Sequence, residues 1–153
     1  MTENNVVFNF EKIYVKDISF EAPQGAAIFS QQLEPRINVQ LNIGNTLLDE
    51  AQGLYEVVLQ ITVRAETEAK KDNTIFLVEL QQAGLFTIQG VSEEDLDAGL
   101  NINCPDLLLP FARETINDLV GRGGFPQFLL SPVNFEALYE QRLASEKQQE
   151  VTQ

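Results

Sequence analysis

The sequence predicts an α+β fold, a four-stranded antiparallel sheet followed by helices, and three observations carry that expectation. Apolar residues recur at every second position in four separate segments between Phe8 and Gln82, the period of a strand with one buried face. A turn-rich connection parts the first segment from the second, and its length is compatible with a crossover between non-neighbouring strands, as in a Greek key. Past Ser92 the apolar spacing changes to three and four, the period of a helix.

The first strand runs from Phe8 to Glu21. Period two puts Phe8, Phe10, Tyr14, Ile18 and Phe20 on one side, interrupted by Lys12 and Lys16, and Glu11, Ile13, Val15, Asp17, Ser19 and Glu21 on the other. Its distal end then presents Asp17, Ser19 and Glu21 as a small acidic strip, although polar residues on a solvent face need no function by themselves. Ala22 to Pro35 is the long connection, with Ile28, Phe29 and Leu33 scattered along it. The second strand, Ile37 to Ile43, sets Ile37, Val39, Leu41 and Ile43 against Asn38, Gln40 and Asn42, and a polar connector is expected from Gly44 to Gly53. The third strand, Tyr55 to about Glu66, turns Tyr55, Val57, Leu59, Ile61, Val63 and Ala65 inward. After a polar hairpin tip at 67–73, the fourth runs from Thr74 to about Gln82, with Phe76, Val78 and Leu80 opposite Ile75, Leu77, Glu79 and Gln81. Gly84 and Gly90 bracket LFTIQ, a candidate continuation after a bulge.

The helices follow. Ser92 and Asp95 are spaced to cap a short acidic helix, SEEDLD, whose carboxylates suit the positive end of its dipole. Pro105 and Pro110 can each open a helix, because the first turn has N–H groups without intrahelical partners and proline presets φ. From Leu109 onward Ala112, Ile116, Leu119 and Val120 form one apolar face, with Arg113, Glu114, Asn117 and Asp118 on the other, until Gly121, Gly123 and Gly124 end the helix. FPQFLLSPVNF is apolar but broken by Pro126 and Pro132, so it is expected to lie over a surface as an extended arm. Asn134 then caps a last helix to about Lys147, with Phe135, Leu138, Tyr139 and Leu143 as its stripe. The chain is expected to form one domain over 1–153, disordered at 1–7 and 146–153.

Composition narrows the function. At 153 residues one core is expected, folding buries roughly 70% of the unfolded surface, and 44% hydrophobic with 22% charged residues describes a soluble globular chain. The N-terminus MTENNVVFNF lacks a basic region followed by an apolar segment, which predicts residence in the cytoplasm. A single cysteine, Cys104, excludes an intrachain disulfide and a cysteine metal cage, and reads as a small buried thiol at a helix start. There is no histidine, so the commonest general base and metal ligand are missing. Carboxylate pairs such as Asp17 with Glu21, or Glu114 with Asp118, suit a solvated or interfacial face better than acid and base, and no phosphate-cradling or nucleophile-elbow motif is present. The expectation is therefore no enzyme, no metal and no cofactor. A net charge of −13, from 23 acidic and 10 basic residues, repels phosphate backbones and suits a basic protein segment, or solubility alone. Phe29, Phe125 and Phe128 lie in irregular segments, where they can line a groove for extended peptide or pack inside the fold or between subunits.

The stretch Cys104 to Phe135, CPDLLLPFARETINDLVGRGGFPQFLLSPVNF, closely resembles the SecB family of bacterial export chaperones, whose members carry CP, PYARE, RG, FP and PVNF elements in the same order. The resemblance extends to IYVKDISFEAP at 13–23, YEVVLQITV at 55–63 and FLVELQQAGLFTI at 76–88. It implies a four-stranded antiparallel sheet followed by two helices, assembled as a tetramer, a dimer of dimers, with Glu114 and Asp118 at the interface between long helices. It further implies an ATP-independent holdase that keeps unfolded secretory precursors translocation-competent and delivers them to the SecA motor. On the matching positions, SecA's basic zinc-binding tail would dock at Asp17, Ser19, Glu21, Leu77 and Glu79, and clients would lie in a groove lined by Phe29, Leu33, Phe125, Phe128, Leu129 and Leu130. Any zinc would belong to the motor's tail. Leu33 stands where many relatives have tryptophan, Phe111 replaces a tyrosine, and DLDAGLNINCP lacks a histidine-containing run found there. The competing reading is a SecB-like holdase that works without SecA, for example protecting an antitoxin.

Overall fold

The computed structural model describes residues 5–32, 34–67 and 73–151. Strands β1 (Val7–Glu21), β2 (Arg36–Asp49), β3 (Leu54–Glu66) and β4 (Thr74–Gln89) form one antiparallel sheet in the order β1-β4-β3-β2. The connection after β1, which holds a 3₁₀ turn at Gly25–Ser30, therefore carries the chain to the opposite edge of the sheet, and the topology is a Greek key. Helices α1 (Glu93–Ala98), α2 (Cys104–Arg122) and α3 (Phe135–Val151) follow, with a π-helical turn at Gly99–Asn103 joining α1 to α2.

The core lies between α2 and the middle of the sheet. Val57, Leu59, Ile61 and Val63 of β3 and Val78, Leu80 and Phe86 of β4 are buried against Leu108, Ala112, Ile116 and Val120 of α2. The face bearing these residues is the helix face; the other is the outer face. Gly84 shows how tightly the two layers meet, since a Cβ there would lie 2.7 Å from the ring of Phe86 and 3.0 Å from Leu108. Cys104 is fully buried at the start of α2, and burial pushes its thiol up to about 12, far from the thiolate that reactivity needs.

The largest difference from expectation is in β1. Its register against β4 skips one residue between Phe10 and Lys12 and another between Val15 and Asp17, so Glu11 and Lys16 are bulge residues without opposite partners. Residues paired across an antiparallel ladder share a face. Phe8, Phe10, Ile13, Val15, Ile18 and Phe20, paired with Ile88, Phe86, Gly84, Gln82, Leu80 and Val78, therefore all lie on the helix face. Asn9, Lys12, Tyr14, Asp17, Ser19 and Glu21 lie on the outer face. A strict two-residue alternation put Tyr14 with the phenylalanines and Ile13 and Val15 with the acidic strip. The bulges re-phase the strand and, from Phe8 to Glu21, gather its aliphatic and phenylalanine side chains on one face.

Other boundaries move for local reasons. β2 continues past Ile43 to Asp49, through what was expected to be a connector, because Gly44 to Leu47 stay paired with Val58 to Tyr55. The turn is confined to the residues before Gly53, whose φ of +64° favours glycine. β4 runs unbroken through LFTIQ to Gln89, the irregularity lying in its partner β1 instead. Pro105 sits in the first turn of α2 as expected, whereas Pro110 lies inside the helix. It is exposed, so the hydrogen bond it removes falls on the solvent side while buried Leu108, Leu109 and Ala112 hold the helix to the sheet. The Asp95 N–H donates to Ser92 Oγ at 3.1 Å, closing the expected cap of α1, and the Ala137 N–H donates to Asn134 Oδ1 at 3.0 Å to cap α3. α3 stays helical to Val151, beyond the expected end near Lys147, in a segment rich in good helix formers. It is docked by buried Phe135 and by a polar relay in which the Tyr139 hydroxyl donates to Asp97 Oδ2 at 2.6 Å and Arg142 Nη1 to Asn101 Oδ1 at 3.2 Å.

A Gly84→Val substitution forces the packed Phe86 and Leu108 apart. It is expected to cost about 1–3 kcal/mol, read as a lowered midpoint in denaturant titration with an unchanged slope.

Candidate functional site

Two surfaces gather the residues singled out in the sequence. The first is the distal outer face of the sheet. Register brings three rows together across all four strands: Asn38, Arg64, Leu77 and Glu21; Gln40, Thr62, Glu79 and Ser19; Asn42, Gln60, Gln81 and Asp17. Asp17, Ser19 and Glu21 thus stand beside Leu77 and Glu79, on the face turned away from α2. Asp17, Ser19, Glu21 and Glu79 are exposed and Leu77 is half-buried. Among the described residues, none of the three carboxylates forms an ion pair. Chemically the patch is a rigid, unneutralised acidic surface around one aliphatic side chain, with hydrogen-bonding amides flanking it.

Next to it the outer face carries a contact that the sequence did not announce. The Lys16 ammonium lies 2.8 Å from Glu56 Oε1, and the Tyr14 hydroxyl donates to Glu56 Oε2. Both reach from β1 over β4 to β3, where Ala83, paired with Tyr14, leaves room and is itself fully covered. The Lys16 and Tyr14 hydrogen bonds hold the Glu56 carboxyl below the usual range, while burial and the bond to Glu56 push the Tyr14 phenol up to about 12. One signal in the sequence could have located it: the apolar residues from Phe8 to Phe20 step by two, three, two, three and two, and each three-residue step marks a bulge.

The second surface is an apolar cleft where the crossover meets the arm after α2. Gly124, with φ at +88°, turns the chain so that the Phe29 ring fits against it; a Cβ at that position would meet the ring at 3.0 Å. The Phe29 and Phe125 rings lie 5.3 Å apart and the Phe125 and Phe76 rings 5.1 Å, within the range of favourable aromatic contact. Phe29, Pro35, Ile75, Phe125 and Pro126 line a cleft of about 260 Å³, and Phe29 is 58% exposed. Beyond Phe125 the arm is irregular and pinned, the Phe128 N–H donating to Asn117 Oδ1 and Arg113 Nε to the Leu130 carbonyl, both at 3.2 Å. Phe128 is half-buried and Leu129 is 64% exposed. Leu130 differs from the expectation for it: it is buried in the hydrophobic core, because the alternation along the arm turns one leucine in and its neighbour out. Leu33 lies outside the described residues.

Further apolar surfaces are uncovered in the single chain, among them one on β1 and one on α2. On β1, Phe8, Phe10, Val15 and Ile18 project beyond the area that α2 covers. On α2, Leu107 and Phe111 are exposed, and Glu114 and Asp118 continue the same stripe at helical spacing. Asp118 pairs with Arg122 at 2.9 Å. Among the described residues no cluster of metal-ligating side chains occurs, and no helix is long and apolar enough to cross a membrane.

A group whose pKa is raised on folding stabilises the fold below its ordinary pKa and loses that contribution as pH rises through the folded value. The Tyr14 contribution is therefore present below pH 10 and declines toward about 12. Tyr139, which donates to Asp97, is also shifted upward, so absorbance titration is expected to show one fewer late-ionising tyrosine in a Tyr14→Phe variant than in the parent, and the two proteins' melting temperatures should converge over that interval.

The model of the family described as preprotein translocase subunit SecB matches residues 1–146 of this chain. The chain is 48% identical over 152 residues to the protein-export protein SecB of Acidithiobacillus ferrooxidans, covering 99% of each. It is 47% identical over 140 residues to that of Methylobacillus flagellatus, covering 92% of this chain and 86% of the relative. Its fold is similar, with a TM-score of 0.65 at 16% identity over 82% of this chain and 90% of the other, to the SecB-like chaperone Rv1957 of Mycobacterium tuberculosis, solved with a ChAD peptide from the HigA1 antitoxin. With sheet order, helices and near-full-length sequence in agreement, the chain belongs to the SecB family of protein-export chaperones.

Proposed function

We infer that the chain is an ATP-independent holdase of the cytoplasm, which binds unfolded secretory precursors and passes them to the SecA motor. One observation carries the reading: Asp17, Ser19, Glu21, Leu77 and Glu79, the positions at which relatives would meet SecA's basic zinc-binding tail, converge from two strands into one acidic patch without internal neutralisation. A basic segment docking there exchanges water for complementary charge on a surface already rigid, which favours rapid encounter and correct register. The aromatic cleft supports the other half of the function. Phe29, Phe125, Phe128 and Leu129 offer apolar surface to an unfolded chain at roughly 25 cal/mol per Å² buried, with no demand on sequence, and Leu33 follows Phe29 by four residues in the sequence. A folded client has no such segments to offer, and release follows from folding itself. Leu130, being in the core, is left out of this set.

Assembly follows from the uncovered apolar surfaces. An unpaired β1 edge whose helix face carries exposed phenylalanines invites a second copy, and the stripe of Leu107, Phe111, Glu114 and Asp118 suits contact between two such dimers. The chain would then be a tetramer, with Glu114 and Asp118 as polar groups between long helices. A holdase acting without SecA is the second reading; it leaves the acidic patch without a role.

Calorimetric titration with the zinc-loaded C-terminal tail peptide of SecA tests the function. The parent is expected to bind, and an Asp17→Ala, Glu79→Ala variant of unchanged mass in solution to bind at least roughly tenfold more weakly. Failure of the parent to bind, with holdase activity intact, would favour the second reading. For the assembly, Phe111→Asp is expected to shift the sedimenting species from four chains toward two without unfolding the subunit.

A further inference from the structure

One cation, Lys16, stands beside Asp17 in the acidic patch. Lys16 is the bulge residue immediately before Asp17, and its side chain reaches the same outer face. An unrestrained lysine there has a stem long enough to meet the Asp17 carboxylate. At physiological salt the nearest opposite charge dominates the field a partner sees, since screening sets in over about 8 Å. Lys12 and Arg64 of the outer face are farther from Asp17. Lys12 stands beyond Tyr14 at the level of Leu85, and Arg64 of β3 is diagonal to Glu79 but lies two strands, about 9–10 Å or more, from β1 and its Asp17.

In the structure the Lys16 ammonium is drawn the other way, across β4 to Glu56, and the remaining Glu56 oxygen is fixed by Tyr14. Glu56 is largely covered while Lys16 stays half-exposed, so the carboxylate is the fixed member of the pair and the lysine the one being held. Ala83 beneath them is too small to obstruct the crossing. We propose that Glu56, steadied by Tyr14, is a positioning residue for docking: it holds Lys16 away from Asp17, Glu21 and Glu79 and so keeps the patch negative for a basic partner segment. The inference rests on the docking reading above and adds to it a residue that touches no partner.

The same zinc-loaded tail peptide, titrated into the assembled full-length protein, tests it with three variants, Glu56→Gln, Lys16→Gln and the double. Glutamine can still accept the Tyr14 hydroxyl bond but cannot pair with the ammonium. Glu56→Gln is expected to weaken binding roughly three- to fivefold, the scale of one solvent-exposed charge pair, with antiaggregation activity on an unfolded client unchanged. Lys16→Gln should bind at least as tightly as the parent, and the double variant should match Lys16→Gln. That rescue separates positioning from structural damage, because a distorted sheet would not be repaired by removing the lysine. Binding of Glu56→Gln equal to the parent's, or an equal loss in the Lys16→Gln background, would overturn the proposal and leave the docking reading intact. Absence of binding by the parent would overturn both.

Discussion

Antiparallel pairing of β1 with β4 sets the character of both faces of the sheet, and it holds its phase only because Glu11 and Lys16 stand outside the ladder. Six apolar side chains of β1 share the helix face as a result, while its polar residues share the outer one. In strict alternation from Phe10, without those two insertions, Ile13 and Val15 would face outward and Lys12 and Tyr14 toward the core, since the first skipped residue reverses the phase and the second restores it. The acidic patch, the Lys16 to Glu56 contact and the apolar overhang of β1 are thus three results of one register.

Much of the fold was legible because burial leaves a periodic trace. Val57 to Ala65 of β3 and Ala112 to Val120 of α2 are fully buried or nearly so at the spacings their elements require, and the spacing gave the elements. Boundaries were less legible where pairing overrides composition. Gly44 to Asp49 reads as polar connector, yet Gly44 to Leu47 and Asp49 each find a partner residue on β3, and the strand continues. Pro110 reads as a helix start, yet the packing of its apolar neighbours carries the helix across it. The outer-face residues were legible as types, but Glu56 was not, because its value depends on which side chains β1 extends over β4, and that is decided by two bulges.

The arm from Phe125 to Asn134 serves the interior and the surface at once. Leu130 closes the core, while adjacent Leu129 is exposed and Phe125 closes one wall of the cleft. Proline at 126 and 132 suits this division, since a chain that cannot enter helix or sheet has its backbone groups to satisfy elsewhere. Here Asn117 and Arg113 of α2 satisfy two of them. The exposed apolar part of the arm is in this way bolted to the same helix that organises the core, and it can stay open without collapsing inward.

The strand order has a consequence for how such a chaperone itself matures. β1 leaves the ribosome before the other three strands, but its neighbour in the sheet is β4, and Val7 must wait for Gln89 to exist before it can pair. Contacts so distant in sequence close slowly, because the loop entropy is lost before the pairing compensates for it. The β2–β3 and β3–β4 hairpins are local and form without β1. During synthesis, then, β1 is an unpaired segment bearing Phe8, Phe10, Ile18 and Phe20, itself the kind of apolar, unfolded stretch on which chaperones act.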